Sequence, residues 1–92
     1  MPGRELVLIS RQGCELCEEL EALLAPYEVA DVIALRRLDV DRDPGLHALH
    51  AYRVPVLLEG GTELLWGRIE PSEVIAVLGQ LPVARERGGP KG

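Results

Sequence analysis

Leu6-Val7-Leu8-Ile9-Ser10-Arg11-Gln12-Gly13-Cys14-Glu15-Leu16-Cys17 is the stretch that decides the fold. Its first four residues form an uninterrupted β-prone run, the pattern of a strand buried on both faces at the centre of a helix-covered sheet. Ser10 to Gly13 break the run. Helical spacing starts next: Leu16, Leu20, Leu23 and Leu24 fall at i, i+4, i+7 and i+8, with Glu15, Glu18, Glu19 and Glu21 on the outside. Glutamates early in a helix suit the positive end of its dipole. Pro26 is read as the end of this helix.

Outward from this unit the chain continues in short elements. Residues 27–35 fit a loop, a frayed turn or an early strand. Arg36 to Val40 alternate as an edge strand, with Leu38 and Val40 on one face. Asp43 and Pro44 supply an N-cap and a first helical residue for a short helix to about Tyr52. Val54 to Glu59 and Thr62 to Trp66 flank Gly60-Gly61, a strong hairpin signal. A last helix starts near Pro71, with Val74, Val77, Leu78 and Leu81 as its stripe and Pro82 as its stop. The order β-α-β-α-β-β-α opens with a right-handed parallel βαβ unit. The hairpin then joins the same sheet antiparallel. The expected architecture is α/β, one mixed four-stranded sheet with helices on both faces. The domain spans residues 1–82. Residues 83–92 have little to bury and are expected to be a flexible tail.

Composition narrows the function. Ninety-two residues make one domain, too short for a barrel enzyme. Fifteen acidic residues against ten basic ones give a net charge of −5. That excludes nonspecific nucleic-acid binding and adhesion to an anionic membrane. No apolar run approaches a membrane span, and no signal peptide is expected, so the expected location is cytoplasmic. No long apolar stripe is left over, which points to a monomer.

The chain has two cysteines, Cys14 and Cys17, too few for a secreted disulfide scaffold of this length. Their C-x-x-C spacing at a strand-to-helix junction is a specific redox signal. A thiol there faces unpaired backbone N–H groups and the positive dipole end, which stabilise the nucleophilic thiolate. The second sulfur lies one turn along, near the first and less exposed. Cys14 is therefore placed to attack a disulfide and Cys17 to resolve the intermediate. Arg11 favours a Cys14 thiolate, whereas Glu15, Glu18 and Glu19 oppose it; geometry decides between them.

Arg11-Gln12-Gly13-Cys14-Glu15-Leu16-Cys17, the later Arg53-Val54-Pro55-Val56 and the Gly-Gly hairpin together resemble glutaredoxins, most closely the small bacterial glutaredoxin-like proteins of the thioredoxin fold. The resemblance covers about residues 5–81. It implies strand order 2-1-3-4 and thiol–disulfide oxidoreductase activity on protein disulfides or glutathione mixed disulfides. It also implies a thiol system as reductant and no bound cofactor, with glutathione as a co-substrate. It implies that Pro55 is cis and packs against the active-site sulfurs, and that Val54 offers backbone hydrogen bonds to a substrate. Arg11 matches a basic residue placed three positions before the nucleophile. In Trp66-Gly67-Arg68-Ile69-Glu70, Gly67 and, more loosely, Glu70 match the glutathione-binding stretch. Two departures stand out. Glu15 and Leu16 replace the usual Pro and Tyr between the cysteines, and most of the acidic glutathione motif is missing.

Other readings remain beside this one. The cysteines could be a structural pair, or the chain a non-catalytic binding or redox-sensing module. His47 and His50 complete a formal Cys₂His₂ set with the cysteines. Its spacing exceeds that of a finger, and the resembled fold puts that helix away from the cysteines. The expectation is therefore no metal site and two partly exposed helix histidines. Trp66 either caps the sheet or lines the site groove.

Overall fold

The run Leu6 to Ile9 has no polar side chain to turn toward water, so the strand that contains it needs cover on both faces. In the computed structural model, which describes residues 3–81, it has that cover. Strand β1 (Arg4–Ser10) is followed by helix α1 (Glu15–Val29), β2 (Ile33–Asp39), a 3₁₀ turn (Val40–Arg42), α2 (Pro44–His50), β3 (Val56–Glu59), β4 (Thr62–Trp66) and α3 (Pro71–Leu78). The sheet has four strands in the order β2-β1-β3-β4. β1 runs parallel to β2, from Arg4 opposite Ile33 to Ser10 opposite Asp39. β3 is antiparallel to both neighbours, with Val56 opposite Ile9 and opposite Trp66. This is the architecture and strand order the sequence reading expects.

Alternation along β1 sends its side chains to two cores. Leu6 and Leu8 pack with Leu20, Leu24 and Tyr27 of α1 and with Val74 and Leu78 of α3. Ile9 and Val7 pack on the other face with Val40, Val56 and Leu46. α1 and α3 therefore cover one face, and the 3₁₀ turn and α2 cover the other. All these core residues are aliphatic except Tyr27, and each aliphatic side chain removed from water contributes about 1.5–3 kcal/mol. At the start of β1, Gly3 lies so close to the chain that a Cβ would meet the Val32 carbonyl oxygen at 2.3 Å.

Several boundaries differ from expectation. Pro26 lies inside α1, which runs on to Val29. A proline removes one helical donor, but the extra turn buries Tyr27, and the Ala30 N–H still donates to the Pro26 carbonyl at 3.0 Å. β2 starts at Ile33, three residues before the expected Arg36, because Ile33 is buried opposite Arg4. Val40 leaves the strand for the 3₁₀ turn, where it is fully buried. Asp43 caps α2 as expected, accepting from Gly45 N–H at 2.8 Å and Leu46 N–H at 3.1 Å, with Pro44 in the first turn. α2 ends at His50, two residues short of Tyr52. β3 starts at Val56 rather than Val54. α3 stops at Leu78, not at Pro82, because Gly79 turns the chain with φ +84° while its N–H donates to Ile75. Leu81 still packs on the core from beyond the helix. The expected tail, residues 83–92, lies outside the described residues.

Candidate functional site

Strand direction gathers the chemistry at one end of the sheet. β1, β2 and β4 finish at Ser10, Asp39 and Trp66, and antiparallel β3 starts at Val56 beside them. The loops leaving that edge therefore carry Arg11 to Cys14, Asp41, Val54-Pro55 and Gly67.

Gly13 brings the chain into α1 at φ +73°, a conformation that costs other residues energy. Cys14 then takes the N-cap position, extended at φ −95° and ψ 114°. Serine, threonine and aspartate are the usual caps. Here a sulfur does the work: the Cys17 N–H donates to Cys14 Sγ at 3.2 Å. The Glu18 N–H donates to the Cys14 carbonyl at 3.0 Å and starts the helical ladder. Cys14 is half-buried and Cys17 is buried, with 3% exposure, the asymmetry expected of a leading and a following thiol. Burial pushes the Cys17 thiol up to about 12, helped by the hydrogen bond with Cys14 and opposed by a backbone contact with Arg11 and by its charge. Cys17 is thus held as a neutral thiol.

Arg11 does not point freely at the sulfurs. Its Nε and Nη2 grip Asp41 at 2.8 and 2.9 Å, and Nη1 reaches the Ala51 carbonyl at 3.3 Å. The Asp41 hydrogen bond is the main reason its pKa rises above the ordinary arginine value, and the Cys14 and Cys17 sulfurs add to it. The guanidinium is thus shared between Asp41 and the thiol pair. Asp41 is a site residue that the sequence reading missed. It lies 30 residues from Arg11, and only the parallel register, Ser10 opposite Asp39, brings them together.

On the other flank, the Val54–Pro55 peptide is cis. Pro55 is fully buried and Val54 half-buried. The Pro55 carbonyl accepts from the Gly67 N–H at 2.8 Å, with Gly67 at φ +74°. Trp66, the residue before Gly67, is exposed, and the Arg53 guanidinium lies 4.6 Å from its ring centroid. Arg53 is in turn held by both oxygens of Glu63. A cleft of about 590 Å³ is lined by Arg11, Gly13, Cys17 and Glu18 together with Arg37 and Asp39.

The histidines behave differently from expectation. His47 is exposed, 3.8 Å from Asp41. His50 is buried rather than partly exposed: its Nδ1 has no hydrogen-bond partner and lies 4.0 Å from Glu63 Oε2. Alternate turns of α2 place the two rings in different surroundings, one in water and one against β4. Among the described residues no group of three or more His, Cys, Asp and Glu side chains is arranged to hold a metal.

A mixed sheet in this order, with a C-x-x-C pair at the start of the first helix, defines a thioredoxin-fold domain. Within that class, the chain belongs to the glutaredoxin-like domain family (DUF836), whose profile matches residues 5–79. Two solved structures are similar at 31% identity. One is target protein XcR50 from X. campestris, with TM-score 0.67 over 79% of this chain and 93% of that one. The other is Protein Ne2328 from Nitrosomonas europaea, with TM-score 0.69 over 85% of this chain and 94% of that one. A mutant thioredoxin from Halobacterium salinarum shares the fold, at 22% identity and TM-score 0.55 over 84% of this chain and 75% of that one. No curated protein sequence matches the chain.

Proposed function

We propose that this protein is a thiol–disulfide oxidoreductase, with Cys14 as nucleophile and Cys17 as resolving thiol. The observation that carries the reading is the sulfur at the N-cap: Cys14 is half-exposed and accepts the Cys17 N–H at 3.2 Å, while Cys17 is buried beneath it. The Cys14 thiolate attacks one sulfur of a substrate disulfide. A new S–S bond forms, the substrate S–S bond breaks, and the departing thiolate takes a proton from solvent. Cys17 then loses its proton and attacks Cys14 Sγ, forming the Cys14–Cys17 disulfide and releasing the second substrate thiol. Two electrons pass from protein to substrate, and an external thiol system returns them.

Val54 and Pro55 form the wall on which an extended substrate rests, and Gly67 braces that wall through the Pro55 carbonyl. Arg11 supplies positive charge beside the sulfurs. The substrates are protein disulfides or glutathione mixed disulfides in a reducing compartment such as the cytoplasm, and no bound cofactor is needed. Intact mass across a series of glutathione redox buffers tests this. A reversible loss of two hydrogens with a defined midpoint is the expected result. Absence of both the disulfide and a glutathione adduct at every poise overturns the reading in favour of a non-catalytic binding module.

A further inference from the structure

The arginines at this end of the sheet are the groups that would draw in an anionic disulfide, and Arg11, Arg37 and Arg53 are already occupied, Arg37 by Glu21 and Glu28. Arg11 is matched by Asp41 and Arg53 by Glu63, each through paired hydrogen bonds. The carboxylates in the first turn of α1 are not so matched. Glu15 follows Cys14 directly and is exposed. Glu18 is exposed one turn along, with its N–H on the Cys14 carbonyl. Glu19 and Glu70 line the groove between α1 and the start of α3 together with Arg68. Among the described residues none of these four carboxylates forms an ion pair within 4.0 Å, and neither does Arg68. The uncompensated charge beside Cys14, on Glu15 and Glu18, is therefore negative, and the groove that Glu19, Arg68 and Glu70 line carries one further net negative charge.

From this we infer that the Cys14 site selects its substrates by charge and takes disulfides flanked by positive charge. The inference rests on the dithiol reading of Cys14 and Cys17. The reactive atom is the site; the carboxylates set which disulfides reach it. Field lines from like charges beside a cleft raise the local concentration of an oppositely charged substrate and repel one of the same sign. A cationic group next to the attacked sulfur meets Glu15 and Glu18. An anionic one meets the same two groups, with the charge of Arg11 matched by Asp41 and that of Arg53 by Glu63. The favoured natural substrate is then a protein disulfide or mixed disulfide with Lys or Arg beside it, not the anionic disulfide of glutathione.

The test uses the full-length reduced protein at low ionic strength and three small disulfides. Cystamine is dicationic, hydroxyethyl disulfide is neutral and oxidised glutathione is anionic. Second-order rates of Cys14 oxidation are followed by intact mass and divided by the rate of a free neutral-bodied thiol, β-mercaptoethanol, with the same disulfide. Ratios between disulfides at one pH cancel the thiolate fraction. Cystamine is expected to exceed oxidised glutathione by about tenfold or more. The preference should shrink toward unity near 1 M salt, where the screening length falls to about 3 Å. Replacing both Glu15→Gln and Glu18→Gln should lower it several-fold, while Glu5→Gln, at the far end of β1, should leave it unchanged. Equal rates, or a preference for oxidised glutathione, overturn the inference while the dithiol reading stands. So does an equal effect of Glu5→Gln, which would show net charge alone at work. If hydroxyethyl disulfide itself leaves the thiols unchanged, the dithiol reading fails and this inference falls with it.

Discussion

The Tyr27 hydroxyl donates to the Gly79 carbonyl at 2.7 Å and ties the last turn of α1 to the end of α3. The two residues stand 52 positions apart, and the bond exists because α1 continues past Pro26. Tyr27→Phe keeps the ring in the core and removes only the donor. It is expected to cost about 1 kcal/mol, read as a lower denaturant midpoint with an unchanged slope. A loss of several kcal/mol would mean that the ring packing, not the bond, had been disturbed.

The cysteines should label unequally. At pH near neutral, iodoacetamide is expected to modify Cys14 and spare Cys17, which is buried and holds its proton. Cys17→Ser should let Cys14 attack but not let the adduct resolve, so a mixed disulfide accumulates. Cys14→Ser should form no adduct. Peptide mapping after labelling and intact mass after incubation with a disulfide separate these outcomes.

Alkaline pH should weaken the reduced protein through Cys17. Its thiol is pushed up to about 12, above its value in the unfolded chain. The unfolded state therefore sheds this proton first as pH rises. The contribution is intact below the ordinary thiol pKa of about 8.5, and is lost as pH climbs from there toward the folded value. One proton sets a limit of about 1.4 kcal/mol per pH unit. Urea titrations of reduced protein should show a steeper decline for the wild type than for Cys17→Ala. Parallel curves would refute it.

His50 should be replaceable. Its Nδ1 is buried without a hydrogen-bond partner, and the Glu63 beside it is already held by Arg53. A buried polar atom left unpaired costs about 1–3 kcal/mol, and an apolar side chain of similar size avoids that cost. His50→Leu is expected to be at least as stable as the wild type by thermal unfolding. A clear loss of stability would show that the His50–Glu63 contact is worth more than its 4.0 Å spacing implies.

Where a structural choice is local, these residues announce it. Gly60-Gly61 turns the hairpin, Asp43-Pro44 opens α2, and the apolar run Leu6 to Ile9 leads into Cys14 at the head of a helix. Where the choice rests on distant partners, the local pattern misleads. Pro26 looks like a stop because the gain from burying Tyr27 against α3 lies far along the chain. Ile33 joins β2 because Arg4 waits opposite it. The same holds at the site. Cys14 and Cys17 are legible from spacing alone, but the partner of Arg11 depends on strand register, and the burial of His50 depends on which face of α2 meets β4.

The N-cap of α1 is a sulfur rather than an oxygen, and this joins the helix to the redox state of the protein. A thiolate accepts the Cys17 N–H more strongly than a neutral thiol, because a charged acceptor makes the stronger hydrogen bond. A sulfur committed to a disulfide accepts it poorly. In the proposed exchange the first turn of α1 would thus be fastened while Cys14 is a thiolate and loosened while it is bonded to another sulfur. Cys17 rides on that same turn, so the slackening would coincide with the step in which the buried thiol has to reach outward.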